Sequence, residues 1–209
     1  MSIICPTVLA QNEADFAAQF ERIEPFARRV QIDLGDGDFT AATVPLEKVW
    51  WPQGIVADIH LMYKRPLEHI ETLVSLAPSL VIIHAEAEGD LVGMLQHLQT
   101  CGISPGVALL QDTPVSKVEQ LLAVADHALI FSGSLGSFGG SADLALLEKV
   151  EQIRTLRPDI EIGWDGGANA ENAVRLVMGG IDVINVGGAI QKASDPQAAY
   201  DTLVAKITE

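Results

Sequence analysis

Residues 80–110 read LVIIHAEAEGDLVGMLQHLQTCGISPGVALL, and this stretch decides the fold. Residues 80–84 are a short run with no polar alternation, so both faces are expected to be covered, as in a parallel sheet. Asp90 then opens a helical pattern that runs to Gln99, and Gly102 stops it. Residues 106–110 form a second apolar run. Strand, crossover helix and strand in about 30 residues make one βαβ unit.

The same unit recurs in both directions. Strands are expected at 2–5, 29–33, 54–60, 80–84, 106–110, 127–131, 160–164 and 182–186. Helices are expected at 13–23 (opened by Asn12), 66–76, 90–99, 114–123, 142–156, 170–178 and 196–207, with a short helical stretch near 45–50. Gly179-Gly180 stops one of them. Eight β-then-α units follow one another in 209 residues without a linker, a low-complexity stretch or a composition break. That predicts a single (β/α)8 TIM barrel spanning 1–209. An open doubly wound sheet, the competing architecture, normally stops at five or six strands.

Composition narrows the function. With 48% hydrophobic and 20% charged residues the chain is built for a large core. Lys and Arg number 13 against 28 Asp and Glu, a net charge of −15. Such a surface repels nucleic-acid backbones and anionic lipid, so neither is an expected partner. An anionic small molecule stays compatible, because backbone amides in one pocket outweigh the global field locally. Cys5 and Cys101 stand far apart, which fits neither a disulfide framework nor a zinc ribbon. The first residues carry no charged segment followed by a long apolar run, so a cytoplasmic location is expected.

In a barrel of this kind the chemistry sits at the C-terminal ends of the strands. The polar residues there are Thr7, Gln31, Asp33, His60, His84, Glu86 and Asp165. Gln31 and Asp33 are two apart and share a face, as do His60 and Met62. Carboxylates from strands two and seven and an imidazole from strand three are types that converge on one metal ion. Taken singly, His60 reads as a hydrogen-bonded core histidine and Asp33 as a cap beside Asp36-Gly37-Asp38. Asp165, ending an apolar strand before two glycines, makes a poor packing residue. Glycine pairs recur in three consecutive loops: Gly139-Gly140 within 132–141, Gly166-Gly167, and Gly187-Gly188. One pair alone is a turn; three in neighbouring loops suit a phosphate held by backbone N–H groups.

These residues resemble the ribulose-phosphate 3-epimerase family along nearly the whole chain. Ile4-Cys5-Pro6-Thr7-Val8-Leu9-Ala10 is similar to its I-x-P-S-x-L-A, and Gln31 to Phe39 to its H-x-D-x-M-D-G-H-F. Asp58-Ile59-His60-Leu61-Met62 matches D-x-H-L-M, and His84-Ala85-Glu86 matches H-x-E. Phe138-Gly139-Gly140, Asp165-Gly166-Gly167 and Gly187-Gly188-Ala189-Ile190 follow F-G-G, D-G-G and G-S-A-I. The resemblance implies a metal-dependent 1,1-proton transfer on a phosphorylated ketose, D-ribulose 5-phosphate to D-xylulose 5-phosphate. Asp33 and Asp165 would be the acid/base pair, and Gln31, Asp33, His60 and Asp165 the ligands of one divalent metal ion (Zn, Fe, Mn, Co or Mg). Thr7, His60 and Met62 would touch substrate, with Gly139, Gly140, Gly166, Gly167, Gly187 and Gly188 around the phosphate. A homo-oligomer is also implied, with the Trp50-Trp51 pair as an interface or, more commonly, buried beneath the barrel.

Several positions depart from the family pattern. Gln31 replaces a histidine ligand, and an amide oxygen is the weaker donor to zinc or iron, so lower metal affinity or a harder ion is expected. Gly35 and Ser132 stand where methionines cover the intermediate, Asp38 where a histidine does, and Trp164 where a small aliphatic does. These changes keep two other readings open: a related ketose phosphate as substrate of an epimerase or lyase, and a sugar-phosphate binder without catalysis.

Overall fold

The computed structural model describes residues 2–137 and 140–208. Its strands are β1 (Ile3–Val8), β2 (Arg29–Gly35), β3 (Val56–Met62), β4 (Leu80–His84), β5 (Ser104–Leu109), β6 (His127–Phe131), β7 (Glu161–Asp165) and β8 (Val183–Val186). All pair in parallel with their sequence neighbours, and β1 pairs with β8 to close the barrel. The helices are α1 (Glu13–Ile23), α2 (Ile70–Leu76), α3 (Leu91–Thr100), α4 (Glu119–Val124), α5 (Glu148–Leu156), α6 (Ala173–Met178), α7 (Gly188–Gln191) and α8 (Pro196–Thr208). None of the described helices is long and apolar enough to cross a membrane.

Strand alternation sorts the core into two layers. Outward residues such as Ile32, Leu34, Ile59, Leu61, Val81, Ile83 and Trp164 pack under the helices in one large cluster. A small second cluster of Leu80, Ile82, Ala108 and Leu129 fills the barrel interior. Crowding there explains Gly163 and Gly106. A Cβ on Gly163 would lie 2.6 Å from His127 Nε2, and one on Gly106 would lie 2.9 Å from Ile82 Cγ1. Near the N-terminal strand ends, Arg29 donates from Nε to Asp58 at 2.6 Å and from its two terminal nitrogens to Glu161 at 2.9 and 2.7 Å. His127 Nδ1 lies 2.8 Å from the same Glu161 carboxylate, so four strands are tied across the barrel.

The expected boundaries shift in places. β1 runs three residues further, and β2 and β3 two, than the sequence suggested, so Thr7 and Met62 lie on strands rather than after them. The continuing ladder is the reason: Thr7 pairs with Gln31, and Gly35 with Met62. The helices expected at 114–123, 142–156 and 170–178 start late, at Glu119, Glu148 and Ala173. The first two are preceded by 3-10 turns at Val115–Lys117 and Leu144–Leu147, where the chain leaves the strand tightly. Trp50 is neither fully buried nor unsupported: its ring stacks on Phe20 at 5.6 Å and meets Phe16 edge-on at 5.9 Å, with 48% exposed.

Candidate active site

β2, β3 and β7 bring three of the expected side chains to one point inside the barrel mouth. Asp33 and His60 are partners across the β2–β3 ladder, and Asp165 ends β7. His60 Nδ1 lies 3.0 Å from Asp33 Oδ1 and 3.6 Å from Asp165 Oδ2. Gln31, one inward step below Asp33, donates from Nε2 to both carboxylates, at 2.8 Å to Asp33 and 2.7 Å to Asp165. The amide oxygen of Gln31 is buried without a partner. Behind His60 stands His84, Nε2 to Nε2 at 2.9 Å, and behind His84 the carboxylate of Glu86 at 3.3 Å.

Above this floor opens a cavity of about 330 Å³. Thr7, Asp33, His60, Met62 and Asp165 line it, as do Gly140, Gly166, Gly167, Gly187 and Gly188. Gly139 lies outside the described residues. The glycines after β7 have a local cause as well. Gly166 has φ +110° and Gly167 φ +69°, and a Cβ on Gly166 would lie 2.0 Å from the Gly133 backbone nitrogen. One on Gly167 would lie 2.2 Å from the Ala142 nitrogen. The β6 and β7 loops therefore touch backbone to backbone, which only glycine allows. Trp164 anchors this turn from outside by donating its indole N–H to the Gly166 carbonyl at 2.9 Å.

Sequence reading missed Asn169, Asn185 and Lys192, which line the same cavity. Asn185 carried a signal, a lone amide inside the apolar run of β8. It is buried, and neither polar atom of its side chain has a partner. Lys192 follows the short α7, which the glycines of 187–188 disguised as loop.

Burial dominates the electrostatics. It raises the Asp33 carboxyl, with Gln31 and the Thr7 hydroxyl pulling back. It raises Asp165 too, and the charge of Asp33 adds to the effect. His60 is pushed down to about 4 by burial, against the pull of Asp165. Burial, with the charge of Asp33 added at Asp165, lets each carboxyl hold a proton into the neutral range, which suits one acid and one base.

The donors fit a divalent cation. Asp33, His60 and Asp165 each offer one ligand atom, all within 4.8 Å of one another. A half-turn of the Gln31 amide would bring its orphaned oxygen to where its nitrogen now meets both carboxylates. The set would then be three oxygens and one nitrogen, a composition suited to harder ions such as Mn²⁺ or Mg²⁺.

The chain is similar to known proteins in sequence and in fold. The family model described as the ribulose-phosphate 3 epimerase family matches residues 3–191. A ribulose-phosphate 3-epimerase of Helicobacter pylori (strain ATCC 700392 / 26695) is 31% identical, with 96% of this chain and 95% of that protein covered. The enzyme of that name from Bacillus subtilis (strain 168) is 28% identical, with 96% and 97% covered. Among solved structures, a 3-hexulose-6-phosphate synthase superposes with a TM-score of 0.75 at 20% identity, covering 98% of this chain and 99% of that one. KGPDC from Streptococcus mutans gives 0.73 at 14% identity, covering 100% and 98%. At such identities the structural likeness speaks for the barrel alone.

Proposed function

The chain belongs to the ribulose-phosphate 3-epimerase family of isomerases, and from that premise we propose that it interconverts D-ribulose 5-phosphate and D-xylulose 5-phosphate. One observation carries the reading: a buried carboxylate and a half-buried one, from strands far apart in the barrel, meet at the floor of a glycine-rimmed cavity. In its ionised form one carboxylate removes the proton at C3 of the ketose. The other, protonated, returns a proton to the opposite face, and the enediolate lies between them. Their raised affinity for protons keeps both forms accessible near neutrality.

Asp33, His60 and Asp165, with the turned amide of Gln31, would hold the cation. Bound there, a divalent cation supplies Lewis-acid stabilisation of the negative charge that develops on the sugar oxygens. Thr7 offers a hydroxyl to the substrate, and Met62 covers it with an apolar surface. For the phosphate, Gly140, Gly166, Gly167, Gly187 and Gly188 leave room for close approach to backbone, and Lys192 adds a positive charge at the same wall.

The test is proton NMR of the purified protein with D-ribulose 5-phosphate in D2O, with Mn²⁺, Zn²⁺ or Fe²⁺ and with chelator. Cation-dependent deuterium uptake at C3 together with xylulose 5-phosphate is the expected result. Absence of exchange from folded protein under every cation refutes it and favours another phosphosugar or a binding role.

A further inference from the structure

His84 and Glu86 have no part in the proton transfer or in the cavity wall, yet they form an unbroken line of polar contacts with it. Asp33 Oδ1 to His60 Nδ1 is 3.0 Å, His60 Nε2 to His84 Nε2 is 2.9 Å, and His84 Nδ1 to Glu86 Oε2 is 3.3 Å. Glu86 is itself tied down at its other oxygen, which accepts from the Leu110 backbone N–H at 3.1 Å and from the Thr113 hydroxyl. Both imidazoles are fully buried, where the neutral form with one N–H and one lone pair is favoured.

Donor and acceptor roles can be propagated along this line from its outer end. A carboxylate accepts and does not donate, so the nitrogen facing Glu86 carries the proton, and His84 is the Nδ1–H tautomer. Its Nε2 is then a lone pair. The nitrogen 2.9 Å away, His60 Nε2, must supply the hydrogen between them. Read from this end, Nδ1 of His60 has no proton of its own and faces both carboxylates. Asp33 at the inner end favours the opposite tautomer, so the two ends compete, and Glu86, fixed by Leu110 and Thr113, is the one that favours a bare Nδ1.

We propose that Glu86 and His84 are positioning residues: through two consecutive tautomers they keep the Nδ1 lone pair of His60 aimed between Asp33 and Asp165. Its functional consequence rests on the cation-holding reading above, since a lone pair facing two carboxylates is of use to a cation placed among them. Without the relay His60 would place its proton on Nδ1 and donate it to Asp33, and the lone pair would be lost. Partners that fix a ligand histidine in this way typically change metal affinity by about 10–100-fold when removed.

Glu86→Gln tests the idea isosterically. The new amide oxygen can still accept from Leu110 and Thr113, while its NH2 now points at His84 Nδ1 and must donate. Both histidines should switch tautomer. Long-range proton–nitrogen NMR on metal-free, ¹⁵N-histidine-labelled protein reads this directly. In the wild type His60 should carry its proton on Nε2; in Glu86→Gln that nitrogen should be bare. Mn²⁺ affinity by calorimetry should fall about 10–100-fold.

His84→Gln is the second variant. Its amide oxygen can accept from His60 while its NH2 donates to Glu86, so the Nε2–H form of His60 and the Mn²⁺ affinity should both be kept. A bare His60 Nε2 in the wild type overturns the relay. So does a Glu86→Gln protein with unchanged tautomer and affinity, or a folded His84→Gln protein that loses the Nε2 proton. The tautomer is read without cation or substrate. Expected tautomers in a protein that epimerises nothing therefore support the relay while refuting the proposed function.

Discussion

Replacing Asp165 by asparagine separates chemistry from stability, because the two should move in opposite directions. The side chain keeps its shape, and its amide oxygen can still accept from Gln31 Nε2, now 2.7 Å from the carboxylate. What disappears is a proton carrier and a buried charge. Loss of one general acid or base lowers turnover by about 10²–10⁴-fold. Stability of the metal-free protein should rise instead. The Asp165 carboxyl goes from 3.8 to about 7 in the fold, through burial first and the charge of Asp33 second. At about 1.36 kcal/mol per pKa unit, the ionised form costs the fold at most roughly 4 kcal/mol.

The sign follows from the direction of the shift. A raised carboxyl carries no penalty below its unfolded value, gathers it as pH rises, and carries all of it above its folded value. The gain on substitution is therefore largest above pH 7 and vanishes below pH 4. Allowing for the unmatched N–H of the asparagine, about 2 kcal/mol should survive at pH 8, or roughly 4–8 °C in melting temperature for a chain of this size. Thermal melts in chelator at pH 8 and pH 4, beside the deuterium-exchange assay, measure both effects. Full turnover, or a lower melting temperature at pH 8 than at pH 4 relative to wild type, would refute the reasoning.

Three further outcomes are expected. Gln31→His should raise affinity for Zn²⁺ and Mn²⁺ by about tenfold or more, because Gln31 now meets both carboxylates where a ligand nitrogen would serve; unchanged calorimetry would remove residue 31 from the cation site. Gly166→Ala forces a Cβ to 2.0 Å from the Gly133 nitrogen at φ +110°, a strain of about 1–3 kcal/mol or more; KM for the phosphorylated substrate should rise more than kcat falls, and wild-type kinetics would show that the rim tolerates the shift. Glu161→Gln should lower stability at pH 7 and leave kcat unchanged. Burial pushes the Glu161 carboxyl up, but hydrogen bonds from Arg29 and His127 outweigh it and hold it well below the carboxylate range. Its contribution is thus present above the ordinary glutamate value of 4.5 and lost only as pH falls through the lowered one, so the two proteins' melts should converge in strong acid.

The barrel was legible because its strands are buried on both faces and so read as unbroken apolar runs, such as 80–84 and 127–131. Punctuation was legible where one side chain does the work: Asn12 caps α1 by accepting from the Asp15 N–H at 3.0 Å. Helix starts were less so, since the entries to α4 and α5 tighten into 3-10 turns with the same apolar spacing. In the site, Asp165 stood out because a charge ending an apolar strand before two glycines needs a reason, whereas Asp33 and His60 gained theirs only from sharing the same end of the barrel. The line from His60 to Glu86 did not, because a nitrogen-to-nitrogen contact between β3 and β4 depends on ring orientation, which no spacing encodes. Gly166 and Gly167 were legible as glycines, but not the approach of the β6 loop that requires them.

The ionic tie among Arg29, Asp58, Glu161 and His127, with the apolar plug of Leu80, Ile82, Ala108 and Leu129, makes the barrel a vessel with one opening. Whatever reaches the cavity floor enters and leaves past the glycine rim, and so do the hydrogens that isotopic labelling follows. The two ends can also drift independently over generations. Substitutions in the sealed end tune how long the molecule survives heat or acid, and substitutions at the open end tune what the cavity accepts. A lineage can therefore redesign the mouth on a base that holds its shape throughout.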